Sequence, residues 1–300
     1  MSDAKITELN TGKKLFIDIT PGPPSPSPVR SSLAPTCRTR AHHPTNSSTH
    51  KQPTIVFLHG LGSSTSFYES PLSLSALSTS HQLVRYDFDG HGLSPVSGYK
   101  VTIESLVEDL KHVMESVDCE KAGIVAHSMS GLVALTFAAK YPEMVDRLFL
   151  IGPVKALPPA GVDAMLARAV TVRTSGLSSL ASTIANSATS AHTKSTSPLS
   201  LALIRALVLP TPIEGYARAC EALAAAKNPE WSNIKAEVLV VGGEEDYMCT
   251  REVVSFLVEN IEKARSVEMK NVGHWHAVEQ PVELARIMDE FFALEGTTFA

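Results

Sequence analysis

A short apolar run at residues 122–126 (AGIVA) and an apolar helical stretch at residues 132–140 are separated by almost nothing. The link is Ala126-His127-Ser128-Met129-Ser130-Gly131. A buried strand that passes into a helix over so few residues must turn very sharply. The residue at the apex is then pushed out above the end of the sheet, and its neighbours two positions away must be small because the backbone folds back on itself. The usual pattern has glycine at both neighbouring places; here they are Ala126 and Ser130, small enough for the turn to close. Ser128 at the apex is therefore a candidate nucleophile. A serine at a helix start is commonly only an N-cap, and it is the strand–turn–helix setting that separates the two readings.

The rest of the chain supplies a sheet for this turn. Residues 54–58 (TIVFL), 83–86, 148–151 and 237–241 are further short apolar runs, as expected of strands buried on both faces. Residues 15–19 alternate as a strand does, and residues 266–269 form a last one. Ile103, Leu106, Val107, Leu110, Val113, Met114 and Val117 recur at helical spacing, and Pro281 opens a final amphipathic helix over residues 281–292. Strands alternating with helices predict an α/β architecture with a mostly parallel sheet. Two segments depart from this. Residues 21–52 are rich in Pro, Ser, Thr, Arg and His with almost no large apolar residue, which predicts a disordered surface insertion. Between residues 153 and 234 the strand signal vanishes in favour of helical periodicity broken by prolines. The expected organisation is an α/β core over residues 1–153 and 234–300, with a helical cap over residues 154–233.

Composition narrows the partners. Of 300 residues, 44% are apolar, sufficient for a large core, and the net charge of −5 gives no basic face for nucleic acid. No run approaches the ~20 apolar residues of a membrane-spanning helix. The first residues lack the apolar stretch of a secretory signal. Cys37, Cys119, Cys220 and Cys249 are far apart, matching neither a zinc site nor a disulfide framework. A cytoplasmic protein without a cofactor, acting on a small molecule, is expected; the oligomeric state stays open.

A serine hydroxyl needs a base, itself oriented by an acid. Asp246 follows the apolar run VLVV, and His274 precedes the last helix. Glu244 and Glu245 are rival acids and His276 a rival base. His274 and His276 together have no further ligands for a metal site. His127 is expected to point away from the hydroxyl and to be structural. For a developing oxyanion, the Met129 N–H at a helix start and the Leu61 N–H in the turn His59-Gly60-Leu61-Gly62 are the natural donors.

The segments HGLG, YDFDGHGLS, AHSMSG, VGGEED and GHWHAVEQP, in this order, resemble the α/β-hydrolase superfamily. That resemblance implies a mainly parallel eight-stranded sheet with a helical cap over the nucleophile. It implies catalytic roles for Ser128, Asp246 and His274, and oxyanion roles for Leu61 and Met129. More finely, VRYDFDGHGLSPVSG and GYARACEALAAA resemble the 3-oxoadipate enol-lactonases. The implied reaction is opening of a carboxylated lactone through an acyl-enzyme. A substrate carboxylate favours a cation near the pocket, and Arg168, Arg173, Arg205 and Arg218 are the cap candidates. Tyr216 and Trp275 are the expected substrate-binding residues, although Ile213, Tyr216, Ala217, Cys220, Leu223 and Ala224 also make an ordinary apolar helix stripe. The rival readings are a general carboxylesterase, a hydrolase of carbon–carbon bonds, a small-molecule receptor on the same scaffold, and an interaction protein working through residues 21–52.

Overall fold

The computed structural model describes residues 2–23 and 52–293. Most of the Pro/Ser-rich stretch expected to be disordered, and Cys37 within it, lie outside the described residues. Eight strands form one sheet in the order β1-β2-β4-β3-β5-β6-β7-β8. They are β1 (Asp3–Glu8), β2 (Lys14–Thr20), β3 (Thr54–Leu58), β4 (Gln82–Tyr86), β5 (Ala122–His127), β6 (Val145–Ile151), β7 (Glu237–Gly243) and β8 (Ala264–Met269). β1 pairs antiparallel with β2, and β2 with β4; every other pairing is parallel. Every side chain of β3 and β5 is buried, which is why they read as continuous apolar runs rather than alternations. β1 left no such trace in the sequence. It is an edge strand with almost every residue exposed, so no buried face imposes a pattern.

Among the described residues, helices α1 (Glu69–Leu74), α2 (Ile103–Ser116), α3 (Met129–Lys140), α9 (Arg251–Asn260), α10 (His276–Glu279) and α11 (Pro281–Phe292) pack around the sheet. α2 opens with a reciprocal cap. Thr102 Oγ1 accepts from the Ser105 N–H at 3.0 Å, and Ser105 Oγ accepts from the Thr102 N–H at 2.9 Å. Its predicted stripe is buried from Ile103 to Met114. Asp109 on the same helix is also buried, because Lys13 reaches it at 2.8 Å.

Between β6 and β7 run α4 (Pro159–Ser175), α5 (Ser178–Ser187), α6 (Ala191–Thr196), α7 (Pro198–Val208) and α8 (Ile213–Ala224). Of the prolines that break the helical pattern, Pro159 and Pro198 stand in first turns and Pro212 just before α8, while Pro210 lies in the turn after α7. α8 buries Tyr216, Ala217, Cys220 and Leu223, whereas Ile213 of the expected stripe is exposed, since it sits at the first position where the helix leaves the core. α8 rests on the core through two glycines. A Cβ on Gly215 would lie 1.9 Å from the Gly90 carbonyl oxygen, so backbone meets backbone there. Among the described residues no helix is long and apolar enough to cross a membrane.

Chain order reverses direction across the sheet at β3, whose two neighbours are β4 on one side and β5 on the other. The carboxyl ends of strands at such a switch point leave a crevice, and the turns after β3 and β5 carry Leu61 and Ser128.

Candidate active site

Ser128 has φ +57° and ψ −120°. That conformation costs a non-glycine residue about 1–3 kcal/mol, and the surroundings hold it in place. The Ser128 N–H donates to Ile151 O at 3.0 Å, and its carbonyl accepts from the Gly131 N–H at 2.9 Å. Ser130, standing where glycine is usual, is fully buried and bonded on both sides. Its hydroxyl accepts from the His127 N–H at 2.8 Å and lies 2.7 Å from the Leu58 carbonyl, to which it donates. The substitution therefore fastens the turn to the end of β3 instead of merely being tolerated.

His274 Nε2 lies 2.8 Å from Ser128 Oγ, and His274 Nδ1 lies 2.9 Å from Asp246 Oδ2. Asp246 is buried and also accepts from the N–H groups of Met248 at 2.8 Å and Cys249 at 2.9 Å. Burial alone would raise its carboxyl, but the facing His274, the nearby His276 and the Cys249 N–H outweigh that and hold it at about 2. The carboxylate is thus ionised and fixes the proton of His274 on Nδ1, leaving Nε2 to accept from serine. Gly152, at φ +49°, makes room for this bond: a Cβ there would come within 2.8 Å of Asp246 Oδ2.

The rivals for these positions are engaged elsewhere. Glu244 pairs with Lys270 and accepts from the Asn271 N–H, and Glu245 accepts from the Ala191 N–H. His276 Nδ1 lies 3.1 Å from the His274 carbonyl, and His127 Nε2 approaches the same oxygen at 2.8 Å. A carbonyl only accepts, so both nitrogens carry protons. Burial lowers the pKa of both rings, and they brace the His274 backbone as neutral donors. His127 also stacks on Phe67, with ring centroids 4.3 Å apart.

Ser128 and His274 face a cavity of about 100 Å³ that Leu61, Tyr216, Trp275 and Arg168 also line. Met129 is the first residue of α3, so its N–H has no partner within the helix. Tyr216 packs its ring against Gly62, where a Cβ would fall 2.5 Å away. Burial, partly offset by the Arg168 guanidinium, pushes its phenol up to about 12. The Trp275 ring is buried, and its Nε1, itself buried, has no hydrogen-bond partner among the described residues. Of the four cap arginines, Arg168 alone lines this cavity. Arg173 is held on the surface by Glu214 and Glu221, and Arg218 by Glu214 and the Ser97 carbonyl. The lining from Met165, Ile184 and Ala188 had no signature in the sequence, because ordinary apolar helix residues reveal a pocket only once the helices are placed over it.

The Alpha/beta hydrolase family model matches residues 55–287. The chain is similar to 3-oxoadipate enol-lactonase 1 of Acinetobacter baylyi, with 29% identity over 80% of this chain and 88% of the relative. It is similar to 3-oxoadipate enol-lactonase 2 of the same organism, with 29% identity over 77% and 85%. The crystal structure of the enol-lactonase from Burkholderia xenovorans LB400 has a TM-score of 0.81 at 27% identity, covering 97% of this chain and all of that one. With the family model spanning more than two thirds of its length, the chain belongs to the Alpha/beta hydrolase family.

Proposed function

We propose that this hydrolase opens a small carboxylated ester or lactone through an acyl-enzyme on Ser128. The observation that carries the reading is the unbroken chain from Ser128 Oγ through His274 to Asp246, at 2.8 and 2.9 Å, facing a cavity. As Oγ attacks the carbonyl carbon, His274 Nε2 takes its proton. The Leu61 and Met129 N–H groups receive the oxyanion, a contribution of several kcal/mol when such donors are preorganised. Collapse breaks the carbon–oxygen bond, and His274 returns the proton to the leaving oxygen. In a lactone that oxygen stays tethered to the acyl group. Water then attacks the acyl-enzyme, gives a proton to His274, and Ser128 leaves with it. Asp246 holds the imidazole tautomer and stabilises its cation.

The similarity to enol-lactonases and the inward Arg168 both support a substrate that bears a carboxylate. Tyr216 and Trp275 supply flat walls to this cavity. The test is a pH-stat panel of enol-lactones, lactones and simple esters, run with wild type and Ser128→Ala. Serine-dependent opening of a carboxylated lactone, with slower cleavage of neutral esters, is expected. Broad ester cleavage would make it a general carboxylesterase, and saturable binding without turnover would make it a receptor. Arg168→Met should raise KM for the carboxylated substrate by about 10-fold or more, the loss of one charge-assisted bond, and leave neutral esters unaffected.

A further inference from the structure

Glu279 lies outside the relay, yet its carboxylate is bonded on two sides. Towards the histidine loop, Oε1 accepts from the Trp275 N–H at 3.1 Å, and the Gly273 N–H is shared between the two oxygens at 3.1 Å from each. These are the two residues flanking His274. Towards the cap, Oε2 accepts from the Ser190 N–H and the Thr193 hydroxyl, each at 2.9 Å. The contact between loop and cap continues through His274 itself, whose N–H donates to Ala188 O at 2.7 Å. Gly273 fits against the same turn so closely that a Cβ would lie 2.7 Å from the Ala188 oxygen. Next to the relay's acid, Glu245 accepts from the Ala191 N–H at 2.8 Å. The short segment from Ala188 to Thr193 is therefore tied to both loops of the relay, and Ala188 lines the substrate cavity.

We propose that Glu279 is a positioning residue, which seats the cap segment 188–193 and aligns His274 with the same carboxylate. The inference rests on the serine-hydrolase reading above. An imidazole that must reach Ser128 at one nitrogen and Asp246 at the other tolerates little displacement. A shift of about 1 Å in a catalytic group costs on the order of 100-fold in rate. A carboxylate accepts from every donor that faces it. The amide of glutamine presents an NH₂ either to the Trp275 N–H or to the Ser190 N–H, and must weaken its hold on the loop or on the cap.

The experiment uses Glu279→Gln and, acting on the cap side alone, Thr193→Val. Wild type is first assayed for Ser128-dependent turnover of p-nitrophenyl acetate and for covalent labelling of Ser128 by a fluorophosphonate. Absence of both removes the serine-hydrolase reading and this inference with it. With wild type active, Glu279→Gln should lower kcat by about 10- to 100-fold with KM within about twofold. The downfield proton signal of the His274 Nδ1–H bond should weaken in parallel. Thr193→Val should reproduce a smaller loss, about threefold to tenfold in kcat by the same geometric argument. Should Glu279→Gln fail to fold, Thr193→Val decides. Lowered thermal stability with unchanged kcat and an unchanged proton signal, in whichever variant folds, would reduce Glu279 to a structural tie and overturn the proposal while leaving the serine-hydrolase reading intact.

Discussion

Acidification should destabilise this protein early, and the reason lies beneath the turn that follows β3. His59 is fully buried, with Nδ1 2.8 Å from the Gly60 carbonyl and Nε2 accepting from the Phe88 N–H at 2.9 Å. One nitrogen must be protonated and the other bare, so an added proton would set two N–H groups against each other. Burial, opposed only by the Gly60 carbonyl, takes its pKa from 6.5 to about 4. His91, 5.4 Å away between ring centroids, is taken to about 3 by burial and by His59. A histidine whose folded pKa is depressed contributes stability that is complete above the unfolded value of 6.5 and is lost as pH falls towards the folded value. At about pH 5 the unfolded chain therefore binds nearly two more protons at these positions than the folded one, which costs about 1.4 kcal/mol per histidine per pH unit below 6.5. From pH 8 to pH 5 the two together remove about 4 kcal/mol, a large part of the roughly 5–15 kcal/mol available to a domain. His127 and His276, also lowered by burial, add to the loss. Asp87 and Asp109, whose carboxyls burial raises, work in the opposite direction near the carboxylate range. Urea unfolding followed by the fluorescence of buried Trp275, at pH 8, 6.5 and 5, measures the effect. An unfolding free energy at pH 5 within about 1 kcal/mol of that at pH 8 would refute the neutral, buried assignment of these rings.

Three substitutions test other parts of the argument. Asp246→Asn should leave the fold intact and lower kcat by about 10⁴-fold, because the amide favours the wrong His274 tautomer; steady-state kinetics on any turned-over ester checks it. Ser130→Gly restores the commoner turn residue, yet it should destabilise by about 1–3 kcal/mol, since the buried His127 N–H loses its acceptor. A midpoint in urea equal to that of wild type would contradict the role given to this hydroxyl. Gly215→Ala drives a Cβ into the Gly90 carbonyl, so α8 must move off the core. A fall in melting temperature is expected together with a raised KM, because Tyr216 on the next position lines the cavity.

Local pattern was enough for much of this protein. Apolar runs with no alternation demand burial on both faces, so β3, β5, β6 and β7 declare a parallel sheet by their pattern alone. The abrupt passage from residues 122–126 into a helix required a strained apex, and Ser128 has the positive φ of one. The exposed edge strand β1 was illegible for the complementary reason, that nothing buried constrains its side chains. What pattern could not decide was convergence. Ser128 and His274 are 146 positions apart, and His274 and Asp246 are 28 apart. Spacing favours Asp246 in VGGEED but leaves Glu244 and Glu245 as rivals, and it is packing that turns Asp246 inward while the two glutamates bond elsewhere. Four cap arginines are likewise equivalent until the helices dock, when Glu214 and Glu221 retain Arg173 outside and Arg168 is left against the cavity. Glu279 belongs to the same class: its place between cap and histidine loop exists only in three dimensions. Sequence dictates which residues are buried and where the chain must bend, because those costs are local. Which of several identical side chains meets a partner far along the chain is a property of the assembled core alone.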